Sequence, residues 1–181
     1  ANEVYKPTYI TQHTLNLTGG SEVGRYLVSF DYLDQPGLVK NTEYQRYSYR
    51  VNTDLNIGKM LKVSSDVTYR HVDRLWPESL GSVQYDVWSM QPTSPVRYEN
   101  GDYRLDKQNR NAISLMDLDV VGEDRYNMDV VYGQVKADFE PIKDLVFTGM
   151  ASLNGSWDRR KIHYKNYKYY NEAGELVTQR N

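Results

Sequence analysis

Two groups of side chains have the types and spacing to do chemistry. Arg46, Arg50, Asp54, Asp66 and Arg70 fall at even spacing in two neighbouring segments, with Lys62 among them. Charges of both signs on one strand face pair across strands. Such a face either meets open solvent or lines a wet lumen. The second group is Trp76, Trp88, Arg97, Tyr98 and Tyr103, in a long stretch between strands. Broad aromatic faces beside Arg97 and Asp102 suit stacking against carbohydrate or peptide. The same rings also serve to hold a long loop together or to bury against a partner protein.

Other chemistries lack their residues. Cysteine is absent, which removes thiolate metal sites, disulfides and thiol nucleophiles. His13, His71 and His163 have no metal-ligand spacing. Asp117-Leu118-Asp119 followed by Gly122 begins like a calcium loop, but Val121 and Met128 stand where later ligands belong. Gly19-Gly20-Ser21-Glu22-Val23-Gly24 lacks the Gly-Lys-Ser/Thr that completes a phosphate loop, and reads as a hairpin turn. No serine sits in a nucleophile elbow, and no carboxylate pair stands out. The expectation is a non-enzyme with no metal or cofactor. Lys and Arg number 22 against 24 Asp and Glu, a net charge of −2, so no basic footprint for nucleic acid exists.

The elements that position these residues are strands. From Arg46 to Ile57, the positions Tyr47, Tyr49, Val51, Thr53, Leu55 and Ile57 alternate with an unbroken polar set, and successive strand side chains point to opposite faces. The same period predicts an all-β fold, an antiparallel up-and-down meander with strands near 13–18, 25–33, 46–57, 61–70, 125–139 and 145–157. In 125–139 the apolar parity changes midway. Either a bulge sits near Gly133, or the upper half lies outside the buried zone, the preferred reading. Connections alternate between short (19–24, 58–60, 140–144) and long (34–43, 71–124), the layout of outer-membrane barrels. Within 71–124, Ser82–Met90 reads as a helix ended before Pro92. Asn100-Gly101 reads as a type I′ turn, and 170–175 as another turn.

Mean hydropathy is −0.74 and no apolar run reaches the ~18–20 residues of a spanning helix. A barrel strand escapes that test, because half of its residues face water. Tyr is unusually abundant, 17 against 3 Phe and 3 Trp. Tyr32, Tyr47, Tyr69, Tyr126 and Trp157 fall at the long-loop ends of their strands, and Tyr26, Phe139 and Phe147 near the short-turn ends. Two such rows are expected of a membrane barrel's girdles. Tyr49, Val51, Thr53 and Leu55 would then face outer-membrane lipid, and the charged set the lumen.

Several stretches, in order, resemble one family: 13–20 (HTLNLTGG), 24–26 (GRY), 32–47 (YLDQPGLVKNTEYQRY), 92–96 (PTSPV) before Asn100-Gly101, and 142–145 (IKDL). They are similar to the front barrel strands of SusC/RagA-type TonB-dependent transporters of Bacteroidetes. The resemblance implies a plugged barrel of about 22 strands in a Gram-negative outer membrane. It implies import of glycan or peptide fragments, driven through TonB, with a SusD-like surface lipoprotein as lid. The chain opens at Ala1 without a leader pattern and contains neither the plug nor the TonB-contacting segment. It is therefore expected to be a piece, residues 1–181, of a longer receptor. The competing expectations are a soluble carbohydrate-binding β-sandwich and a fragment of a glycan-degrading enzyme.

Overall fold

A computed structural model describes residues 4–90, 93, 95–105, 111–171 and 173–180, the side chains of 178–180 excepted. Six strands form one antiparallel sheet in chain order: β1 (Thr11–Gly20), β2 (Gly24–Asp34), β3 (Glu43–Ile57), β4 (Leu61–Pro77), β5 (Gly122–Ile142) and β6 (Leu145–Tyr164). The short turns lie at 21–23, 58–60 and 143–144, and the long connections at 35–42 and 78–121. The expected meander is present, with β1 and β6 as its two edges.

The strands run further than their alternation predicts. β4 continues from Arg70 to Pro77, β5 starts at Gly122, and β6 passes Trp157 to reach Tyr164. The loop expected over 71–124 is accordingly shorter. The extensions of β4 and β6 lie where the parity of apolar residues changes, which erases the period-2 signal.

The register explains that change. β5 pairs with both neighbours without a break from Glu123 to Phe139, so no bulge exists at Gly133; its only shift lies between Phe139 and Ile142. Val131, Gly133, Val135 and Ala137 stand opposite Tyr69, Val67, Ser65 and Val63, on one face. Asn127 and Arg125 continue that face beyond the apolar stretch. Tyr126, Met128, Val130 and Tyr132 belong to the other face, near the long-loop end. Polarity thus swaps sides along the strand while the backbone stays regular. Tyr126 was expected in the outward aromatic row with Tyr32, Tyr47 and Tyr69; the register puts it on the opposite face.

Successive short turns are displaced in one direction. Gly24 stands opposite Leu55, while β3 runs on to Ile57; Leu61 stands opposite Phe139, while β5 runs on to Ile142. This is the stagger that tilted strands accumulate.

The buried core lies outside the sheet. The described residues of 78–121 and 165–180 fold as a dome on the long-loop side. It contains α1 (Leu80–Ser89), a 3-10 turn (Ser114–Met116) and the hairpin β7 (Tyr167–Tyr170) and β8 (Leu176–Arg180). Val83 and Met116 pack with Val4 from the chain start, and Tyr103 and Leu105 pack with Tyr169. Asn111 is 2% exposed and organises this dome. Its Nδ2 donates to the carbonyls of Val96 and Arg104 (2.9 and 2.7 Å), and its Oδ1 accepts from the amides of Ile113 and Ser114 (3.1 Å each). One side chain thereby satisfies four backbone groups.

The helix is present close to its expected span, while Pro92 and Ser94 lie outside the described residues. The hairpin at Asn100-Gly101 is present but its turn is not type I′. Gly101 alone has positive φ (+91°), and its amide donates to the Tyr98 carbonyl (3.0 Å). This is a three-residue loop closed by a left-handed glycine. The Asn100 side chain accepts from the Asp102 amide (3.1 Å), which holds Asn100 at negative φ. At the junction of dome and sheet, Gly122 has φ +92°, and a Cβ there would collide with the His163 carbonyl. That position demands glycine.

Candidate functional site

The six-stranded sheet has two chemically distinct faces and neither carries a packed core. On one, the positions between the chain turns and the long loops are uncharged: Leu15 and Leu17 on β1; Val28 and Phe30 on β2; Tyr49 to Leu55 on β3; Val63 to Tyr69 on β4; Val131 to Ala137 on β5; Gly149 to Gly155 on β6. These side chains stand open. Leu17 is 58% exposed, Val67 47% and Leu153 68%.

Rings border this apolar stretch. His13, Tyr32, Tyr47 and His71 stack in sequence across β1 to β4, with the Tyr32 and Tyr47 centroids 4.9 Å apart. Phe30, Tyr49 and Tyr69 form a second line below. Beyond the rings the same face turns polar, through Thr11, Asp34, Gln45, Asp73, Asn127 and Arg159. The apolar stretch runs from Ile57 to Tyr47, from Leu61 to His71 and from Phe147 to Trp157, ten residue steps in each case. Ten steps cover ~33 Å of strand. At a tilt of ~40° that is a band ~25 Å tall.

The opposite face carries side-chain hydrogen bonds and ion pairs at the same levels. Arg46, Arg50 and Asp54 of β3 share it with Asp66 and Arg70 of β4. Arg46 pairs with Asp31 (3.1 Å) and Arg50 with Asp66 (3.4 Å), and Asp54 accepts from Ser64 (2.5 Å). Asp31 also accepts from Gln12 (2.7 Å) and Thr14 (2.9 Å), and Asp138 from Lys136 (2.8 Å) and Thr148 (2.6 Å). Arg25, Leu27, Asn52, Asp54, Asp66 and Lys136 line a concavity on this wall.

Where the polar face passes under the dome lies a cluster that the sequence reading missed. Arg160 of β6 donates through Nε and Nη2 to both oxygens of Asp124 (2.9 and 2.7 Å). Arg74 of β4 approaches the same carboxylate (3.6 Å) and lies over the rings of Trp76 (3.9 Å) and Tyr126 (5.0 Å). Asp124 lies five residues beyond Asp129, outside the apolar band, and its side chain is 8% exposed. The Arg160 hydrogen bonds hold its carboxyl below the usual carboxylate range against the opposing effect of burial. Strand ends placed at 70, 125 and 157 had cut these residues from their neighbours. The signal that recovers them is register, since Trp76, Asp124 and Ile162 are successive partners.

The aromatic residues proposed from sequence fall into three places. Trp76 is on the polar face beneath the dome, beside a crevice lined by Leu33, Tyr44, Arg46 and Leu80. Trp88 is 78% exposed on α1, next to Tyr85 at 69%. Arg97, Tyr98 and Tyr103 are together in the hairpin, but Tyr103 is 8% exposed and Arg97 covers its ring at 3.7 Å. Its hydroxyl donates to Asp117 (2.7 Å), and burial with that bond raises its pKa far above the ordinary phenol value. Tyr103 therefore packs the dome. Tyr98 borders a cleft between the two hairpin tips with Asn100, Asp102 and Tyr170. Asp119, one of the calcium-loop candidates, is paired with Lys165 (2.7 Å). Among the described residues, no group of three or more His, Asp or Glu is arranged to hold a metal.

No family model matches the chain. It is 32% identical over 98 residues to TonB-dependent receptor P26 of Formosa agariphila, a match covering 54% of this chain and 10% of that protein. It is 33% identical over 66 residues to TonB-dependent receptor P3 of the same organism, covering 36% of this chain and 7% of that one. The matched stretch spans about a tenth or less of these relatives. These partial matches support kinship with TonB-dependent receptors.

Proposed function

We propose that the chain forms part of the wall and outer loop of a TonB-dependent outer-membrane importer of the SusC/RagA type, carrying glycan or peptide fragments. The observation that carries this reading is the ring-bordered apolar band ~25 Å tall on one face of a staggered meander, charged only at its upper ring row where Asp129 meets His71, and matching the height of a barrel's lipid-facing belt. Lipid offers no hydrogen bonds, so a spanning sheet must pair all its backbone groups. Further strands of the same receptor would close the edges at β1 and β6.

The role of this segment is passive. Its apolar face dissolves in lipid. Its polar face, with Arg46, Arg50, Asp54, Asp66 and Arg70, lines the lumen against a plug carried elsewhere in the receptor. Energy arrives from the TonB complex through that plug. The dome stands outside, where Trp88, Tyr98 and Arg97 meet substrate or a SusD-like lid, and Trp76 guards the entry to the lumen. No bond is made or broken. A β-sandwich would require a second sheet against one face, and the other sheet among the described residues is the small β7–β8 hairpin in the dome.

The test is to prepare the receptor that contains this chain. Detergent-dependent extraction from the outer-membrane fraction is expected, together with uptake of labelled oligosaccharide that stops when a protonophore discharges the TonB system. A stable, monodisperse protein in detergent-free buffer would refute the reading.

A further inference from the structure

Just beyond the apolar band, the lipid-facing side of β5 and β6 carries a group of exposed cations with no carboxylate within ion-pair distance among the described residues. Lys161 stands directly opposite Arg125, and Arg159 lies two residues from Lys161 on the same face. Direct partners have Cα atoms ~4.5–5.5 Å apart, and residues two apart are separated by ~6.6 Å. All three side chains are exposed. Like charges placed opposite each other destabilise a sheet. On the polar face, by contrast, Arg46, Arg50, Arg74, Lys136 and Arg160 each have a carboxylate within 4 Å. Arg125, Arg159 and Lys161 form no such ion pair among the described residues. The nearest acids in the register are Glu123, diagonal to Lys161, Asp129, diagonal to Arg159, and Asp73, diagonal to Arg125 across β4 and β5. Asp129 is already bound by the Tyr69 hydroxyl (2.6 Å) and His71 Nδ1 (2.8 Å).

Height identifies the anion. Arg159 follows Trp157, the last apolar residue of β6 on this face, by two positions, which places its Cα ~5 Å above the band at a strand tilt of ~40°. That is headgroup depth. We propose that Arg125, Arg159 and Lys161 bind the phosphate of an outer-leaflet lipid headgroup, with Trp157 beside the acyl–headgroup boundary. Guanidinium forks bind phosphate bidentately and the ammonium adds a point charge. The site rests on the membrane reading above, because only a bilayer fixes a headgroup at that level.

The test uses the whole receptor, folded into phosphatidylcholine vesicles with or without lipid A. Lipid A retained after detergent extraction is counted by native mass spectrometry. The R125Q/R159Q/K161Q variant is compared with the parent and with K59Q, altered at the opposite end of the sheet. Each cation near a charged surface contributes about fivefold, so the triple variant should lose retention on the order of 100-fold, and K59Q none. Inorganic phosphate should not displace the lipid. Equal retention by parent and triple variant overturns the headgroup site while leaving the membrane reading intact. So does displacement by inorganic phosphate, which would make the site one for soluble anions. Failure of the parent to insert into vesicles overturns both.

Discussion

Val51 and Asn52 are neighbours in β3 whose side chains point to opposite faces, so an arginine at each position separates the two environments with little change in local propensity. Val51 lies between Val28 and Val67 on the apolar face, and Asn52 between Leu27 and Asp66 on the polar one. Val51 is four residues below Tyr47, ~10 Å down a band ~25 Å tall, and so within ~3 Å of its middle. Arginine at a lipid-facing midplane site costs ~2–4 kcal/mol. Arg at 52 would stand beside Asp66 in a wet wall, where exposed substitutions stay within ~0.5 kcal/mol. The expected gap is therefore ~2–3 kcal/mol, or ~30–150-fold in the insertion equilibrium. Urea-titrated folding of the receptor into vesicles, read by heat-modifiable electrophoretic mobility, measures it. Equal midpoints for V51R and N52R would refute the assignment of faces.

Two further outcomes follow from the dome and its junction. Asn111→Leu keeps the side-chain size but removes one donor from the carbonyls of Val96 and Arg104 and orphans the amides of Ile113 and Ser114, at ~1–3 kcal/mol for each amide left dry. Limited proteolysis should cut the dome at least tenfold faster while the sheet stays protected. At the junction, the Arg160 hydrogen bonds lower the Asp124 pKa below 3.8. A depressed carboxylate stabilises the fold above its unfolded value and loses that contribution as pH falls through the folded value. Pepsin should therefore attack the start of β5 only below about pH 3.8 in the parent, whereas D124N should be susceptible without that pH step.

Legibility in the sequence followed the physics of each region. Inside the band, one side of every strand meets apolar surroundings and the other water, so period-2 alternation exposed six strands, their faces and the partnership of β3 with β4. Above the band that contrast reverses. Val72, Trp76, Tyr126 and Met128 turn under the dome while Asp73, Asn127 and Arg159 stand on the other face. In β4 and β6 the change of parity looked like the end of a strand, which hid the Arg74–Asp124–Arg160 cluster, and in β5 it left Tyr126 assigned to the wrong face. The dome was least legible, because its contacts join distant segments. Tyr169 donates to Ser114 across 55 positions (2.8 Å), and Val4 packs on Val83 and Met116. Burial of Tyr103 follows from those contacts and not from its neighbours in sequence.

The most direct test of the account is a cysteine-by-cysteine nitroxide scan from Arg46 to Ile57 in the bilayer-embedded receptor, possible within this chain because it contains no native cysteine. Collision with oxygen and with a water-soluble nickel chelate reports lipid and water contact respectively. Labels at Tyr47, Tyr49, Val51, Thr53, Leu55 and Ile57 should collide with oxygen, most strongly near Val51 and Thr53. Labels at the intervening positions should meet the nickel chelate instead. Uniform nickel access along both sets would contradict the account.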